Sequence, residues 1–227
     1  MSDDCKKLIS RMEGMADPEA LAGKARYGID VSNSFGLRMP QIRALAKEIG
    51  KNHDLALELW QTGIADAQLV APLVADIKQV DDALMESWVQ DFASWDVCDQ
   101  CCMNLFRKHD SAFDKVRQWA AREEEFVRRA GFALLATLAV HQKKEPDETF
   151  EDFLPLIEDY AFDDRNFVKK AVNWALRQIG KRNHHLNDQA IQACDRIVAQ
   201  DTASARWIAK DALRELQDPK ILSRLKG

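Results

Sequence analysis

Apolar residues return every three or four positions along almost the whole chain, and nowhere do they alternate with polar ones over the length of a strand. That period predicts helices. No Asn-Gly or Asp-Gly hairpin turn interrupts the pattern, so the fold class expected is all-α. Breaks fall near Asp17-Pro18, Met39-Pro40, Asn52-His53, Lys108 to Ser111, Glu145-Pro146 and Lys181 to His185. They leave helices of roughly 10 to 18 residues. No linker divides the chain, and a single domain over residues 1–227 is expected.

The helices repeat. Glu125-Phe126-Val127-Arg128-Arg129-Ala130 and Asn166-Phe167-Val168-Lys169-Lys170-Ala171 lie 41 residues apart, and a further step of 41 reaches Ile208, Asp211, Ala212 and Leu213. A period near 40 residues in a purely helical chain predicts a curved solenoid of HEAT-like antiparallel helix pairs, each burying its apolar face on its neighbours. An irregular bundle is the alternative. The in-phase recurrence of Ala130, Ala171 and Ala212, small residues where layers approach closely, favours the solenoid.

Two faces carry unusual chemistry. On a helix, Trp95, Asp99, Cys102 and Phe106 fall within about 60° of one another, which places a carboxylate on a face otherwise fit for burial. A buried carboxylate is protonated, paired, or at the edge of a cleft where it acts on something. On the helix from Asn166 to Lys181, Val168, Ala171, Val172, Ala175, Leu176 and Ile179 form the core stripe, while Lys170, Trp174, Arg177 and Lys181 share the side expected to meet water. Cations neutralise phosphates and an indole packs on a sugar or base; packing of Trp174 against a neighbouring repeat is the structural reading. Arg129 takes the repeat position of Lys170 in a nearly apolar helix and needs an anion nearby. Asp99, one repeat earlier, is the candidate for a structural pair. Trp60, Trp88, Trp119 and Trp207 are assigned to core or interlayer packing.

Bulk properties narrow the class. With 227 residues and 46% hydrophobic content the chain supports a sizeable core. The segment Met1 to Lys7 is polar and the longest apolar run, Ala130 to Val140, is too short to span a bilayer, so a cytoplasmic protein that makes no membrane contact is expected. Five cysteines, an odd number, argue for a reducing compartment, and Cys98-Asp99-Gln100-Cys101 lacks the second cysteine pair of a zinc site. No metal or cofactor is expected. The net charge of -5 is unevenly spread: residues 161–227 hold 13 Lys+Arg against 8 Asp+Glu, and residues 1–160 hold 19 against 29. Such segregation gives one surface a positive field on a protein acidic overall.

Four segments in order then resemble the AlkD-like DNA alkylation repair proteins, all-helical HEAT-like DNA glycosylases. They are Ala25-Arg26-Tyr27, Ser94-Trp95-Asp96-Val97-Cys98-Asp99, Phe126-Val127-Arg128-Arg129-Ala130, and Phe167 to Arg177 with Trp174 inside it. The resemblance covers most of the chain and implies that Trp95, Asp99 and Trp174 are catalytic, that Arg129 holds a phosphate, and that Tyr27 forms a further wall of the site. Ser94 stands where some members carry tryptophan. The catalytic aspartate position is filled, unlike in members that only bind DNA. Implied with it are a partner, double-stranded DNA containing alkylated bases, and a reaction, excision of cationic 3-methyladenine- or 7-methylguanine-type purines without a deep base-flipping pocket. Lys170, Arg177 and Lys181 are the further DNA-binding cations, and a monomer is expected. The rival function is a non-catalytic HEAT-like module for DNA or a protein partner, with Asp99 and Arg129 as a structural pair.

Overall fold

A computed structural model describes residues 1–225, and among them every regular element is helical. The chain divides into two compact units at Asp110/Ser111, inside the break that the sequence marks at Lys108 to Ser111. Each unit buries apolar side chains of its own.

The first unit contains α1 (Asp3–Glu13), α2 (Pro18–Arg26), α3 (Met39–Ile49), α4 (His53–Gln61), α5 (Ala65–Val74), α6 (Asp82–Gln90) and α7 (Trp95–Asn104), with single 3-10 turns at Ile77–Gln79 and Phe106–Lys108. The local chemistry of the breaks sets the starts: Asp17 caps α2 by accepting from Ala20 N at 3.0 Å, and Asn52 caps α4 by accepting from Leu55 N at 3.1 Å. Each such cap is worth about 1 kcal/mol. Alternate helices then stack. The Trp60 ring on α4 lies 4.1 Å from the Trp88 ring on α6 and within 3° of parallel, and α5 packs on α7. Both indoles are buried, which bears out their assignment to packing.

The second unit contains α8 (Ala112–Ala120), α9 (Glu125–His141), α10 (Asp147–Glu151), α11 (Leu154–Asp159), α12 (Asn166–Gly180), α13 (His184–Val198), α14 (Ala203–Leu216) and α15 (Pro219–Leu222). Helix α12 packs on both α9 and α14, and Ala130, Ala171 and Ala212, one from each, are fully buried as the 41-residue register requires. Polar side chains tie one repeat to the next through the backbone. Arg129 Nη1 donates to the Phe167 carbonyl at 2.6 Å, Asn173 Nδ2 to the Ile208 carbonyl at 3.0 Å, and Ser204 Oγ to the Asp163 carbonyl at 2.7 Å. Gly131 lets α8 approach α9, since a Cβ there would stand 2.7 Å from Ala120 N.

Two expectations change. Helices α10, α11 and α15, of 5, 6 and 4 residues, are shorter than the pattern predicts. Each starts next to a proline: Pro146 immediately precedes α10, Pro155 is the second residue of α11 and Pro219 the first of α15, positions that suit the start of a helix but not the interior of one. Trp207 on α14 is not in the core: it is 39% exposed. The five cysteines are free and buried. Among the described residues none of the helices is long and apolar enough to cross a membrane, and no three His, Cys, Asp or Glu side chains gather where they would hold a metal ion.

Candidate nucleic-acid interface

In the first unit the site is built where α7 begins. Ser94, extended and buried, precedes the helix, and Trp95 and Asp99 follow one turn apart, both half-buried. The sequence places Asp99 inside the buried face; the structure leaves it half-buried. Val97, Cys98, Cys101 and Cys102 fill the interior, and α7 ends at Asn104, so Phe106 belongs to a separate 3-10 turn and does not extend the face of Trp95 and Asp99. The small thiols take the core side. Burial pushes the Cys101 thiol well up, which keeps it protonated and inert.

Trp95 is held by its indole N–H, which donates to the Tyr27 carbonyl at 3.0 Å. Tyr27 caps the C-terminus of α2 and is 75% exposed. Gly28 follows it at φ +73°, the left-handed conformation that ends a helix and turns the chain away. The loop beyond is fastened by Asp66 of α5. That carboxylate, fully buried, accepts from Ser34 Oγ at 2.8 Å, Phe35 N at 2.6 Å and Leu37 N at 2.8 Å, with Lys24 Nζ of α2 at 3.6 Å. Asp66 therefore fixes both ends of the segment that carries Tyr27. Sequence reasoning missed it, because its partners lie about 30 residues upstream and a lone Asp in a helix's first turn reads as a dipole contact.

In the second unit Arg129 is buried on α9, and its neighbour Arg128 pairs with Asp163 at 2.8 Å. Burial alone would raise the Asp163 pKa, but hydrogen bonds from Arg165 and Arg128 hold it below the ordinary carboxylate range. On α12, Lys170 is exposed and Trp174 half-buried. With the Gln178 side-chain amide turned so that its oxygen faces these donors, the orientation that satisfies both, it accepts from Trp174 Nε1 and from Lys181 Nζ, each at 3.1 Å. This glutamine, also missed, orients the indole.

Arg177 and Lys181 differ from expectation. Both turn to α14: Arg177 hydrogen-bonds Glu215 and stands 3.9 Å from Asp211, and Lys181 reaches Glu215 at 2.6 Å. Burial would raise the Glu215 pKa, but the bonds from Lys181 and Arg177 lower it, so the pair of cations is already neutralised in part. They face a neighbouring helix because half-buried guanidinium and ammonium groups require a counter-charge. Of the stripe, Lys170 is open to water and Trp174 half-buried, and Arg177 and Lys181 do not offer open charge to water.

The sequence profile described as DNA alkylation repair enzyme matches residues 8–216. The chain belongs to this DNA alkylation repair family. Its fold agrees: a solved structure described as "a new family of proteins related to the HEAT-like repeat DNA glycosylases with affinity for branched DNA structures" superposes with a TM-score of 0.75 at 21% identity, over 84% of this chain and 82% of that one. That likeness identifies the all-α, HEAT-like repeat architecture of this family member. A designed armadillo repeat protein in complex with a (KR)4 peptide aligns over 81% of this chain and 82% of that one at 14% identity, with a TM-score of only 0.38. No curated protein matches the sequence.

Proposed function

We propose that this DNA alkylation repair protein is a DNA glycosylase that hydrolyses the N-glycosidic bond of cationic alkylated purines of the 3-methyladenine and 7-methylguanine type in double-stranded DNA. The observation that carries the reading is a half-buried Asp99 one turn beyond an indole fastened to the Tyr27 carbonyl. A half-buried carboxylate one helical turn from a positioned aromatic ring suits a cation that develops on bound substrate.

An N3- or N7-alkylated purine is already a good leaving group, so strong general acid catalysis is unnecessary. The C1′–N bond breaks heterolytically, its electron pair neutralises the departing base, and the sugar becomes oxocarbenium-like. Asp99 stabilises that charge and accepts the proton of the water that adds to C1′, roles carboxylates fill in glycoside hydrolysis. Trp95 packs its π face on the electron-poor sugar, worth about 0.5–2 kcal/mol; Trp174 is the second aromatic that the family resemblance assigns to the reaction. Lys170, exposed on α12, takes a backbone phosphate; Arg129 is the cation that the family resemblance assigns to another, and Tyr27 supplies a further wall. The base stays largely stacked, since the grip is on sugar and backbone.

A second reading is a DNA-binding protein without base release, in which Asp99 is structural; the described affinity of the related solved protein for branched DNA favours it. Release of 7-methylguanine and 3-methyladenine from methylated duplex DNA by the wild type and by Asp99→Asn separates the two. The glycosylase reading expects release by wild type only, with folding and DNA affinity kept in the variant. No release by the wild type, or equal release by both, overturns it.

A further inference from the structure

Helix α14 has an outward face that the proposed reaction does not use. Ala203, Arg206, Trp207, Lys210 and Arg214 are spaced as one stripe of a helix, and all five are exposed. Trp207 is 39% exposed in the midst of three cations, and the Lys169 ammonium of α12 stands 5.3 Å from the centre of its ring. The cations recur with the repeat: Arg165 and Arg206, and Lys169 and Lys210, are each 41 residues apart. The carboxylates nearby are Asp201, paired with Arg206, and Asp211, paired with Arg214 and near Arg177. Exposed pairs of this kind are weak and exchange readily for phosphate.

A face with an exposed indole among cations fits a polyanion that carries flat groups. Bases in a duplex are stacked on both sides and have no ring face to offer, whereas an unpaired base does. Base–aromatic stacking outweighs an exposed ammonium–indole contact, so a base displaces Lys169 from the ring and leaves its flexible stem to reach a flanking phosphate. We propose that the α14 face, with Arg206, Trp207, Lys210 and Arg214 and with Lys169 of α12, binds single-stranded DNA, stacking an unpaired base on Trp207 and holding the adjacent phosphates with the cations. The inference rests on the reading that the protein works on DNA, but not on its releasing bases.

Fluorescence anisotropy with a labelled 15-nucleotide oligothymidine and, separately, an unmodified 15-base-pair duplex tests it on the full chain. Trp207→Ala is expected to weaken binding of the single strand by about 5- to 100-fold while changing duplex binding by less than about twofold. Trp207→Phe restores most of the loss. Lys210→Gln, on an exposed position that leaves the core intact, lowers the slope of log affinity against log salt by about 0.7. The proposal is overturned if the wild type does not bind the oligothymidine, if neither Trp207→Ala nor Lys210→Gln changes its binding, or if Trp207→Ala weakens duplex and single strand equally. None of these readouts depends on Asp99 or on base release, so failure of the glycosylase reading remains separately visible.

Discussion

The indole N–H of Trp95 donates to the main-chain carbonyl of Tyr27 at 3.0 Å, joining the first turn of α7 to the end of α2. The bond orients a ring that stands one helical turn from Asp99, and it uses backbone rather than the Tyr27 side chain. Tyr27 thus has two separable parts, a carbonyl that positions Trp95 and an exposed ring open to a ligand.

Trp95→Phe keeps an aromatic surface and removes the donor. We expect a stability loss of about 0.5–1 kcal/mol, since the freed carbonyl regains water, and a larger relative loss of base release as the ring position loosens. Urea unfolding beside single-turnover base release measures both; wild-type release by the variant would show that the bond positions nothing of consequence.

Asp99→Asn should reduce base release by about 100- to 1,000-fold, the range for removing one group aimed at transition-state charge. The half-buried position predicts little change in the thermal midpoint. A variant that loses stability in step with activity would point instead to a structural carboxylate.

Asp66→Ala leaves the Ser34, Phe35 and Leu37 donors without their acceptor in the interior and Lys24 without its counter-charge. The expected cost is about 3–5 kcal/mol, read from the urea midpoint, with increased hydrogen exchange in residues 28–37. A loss below about 1 kcal/mol would mean that water replaces the carboxylate.

Glu215→Gln is expected to have two opposite effects. Because the folded-state pKa of Glu215 is lowered, its ionised form contributes stability that is present above the unfolded glutamate pKa and is lost as pH falls through the folded value. The variant should therefore be less stable than wild type at pH 7, by about 1–2 kcal/mol, and the gap should close below about pH 4. It should also release Arg177 and Lys181 and tighten duplex binding, steepening the salt dependence by up to about 1.8 for two added phosphate contacts. Unchanged affinity would mean that both cations stay out of reach of DNA.

Lys170→Gln removes an exposed cation and should weaken duplex binding uniformly across sequences, lowering the salt slope by about 0.9. A salt titration of affinity on two unrelated duplexes checks this. An unaltered slope would remove Lys170 from the interface.

Much of this protein was legible along its length. The three-to-four-residue period marks helices because it records which side of each segment is apolar. The caps at Asp17 and Asn52 act over three residues, and the alanine register at Ala130, Ala171 and Ala212 follows from repeating one packing contact. Order and type of the family segments, with Trp95 and Asp99 one turn apart, are properties of the sequence alone. Only tertiary structure decided what the charged and aromatic faces meet. Arg177 finds Glu215 38 residues away, Trp95 finds Tyr27 68 residues away, and Trp207 is left exposed. Helical spacing assigns a side chain to a face, but the face's neighbour is set by how other helices pack, and no local pattern encodes a counter-charge on another repeat. The same limit applies to Asp99. Val97, Cys98, Cys101 and Cys102 take the core side of α7, and Asp99 is left half-buried.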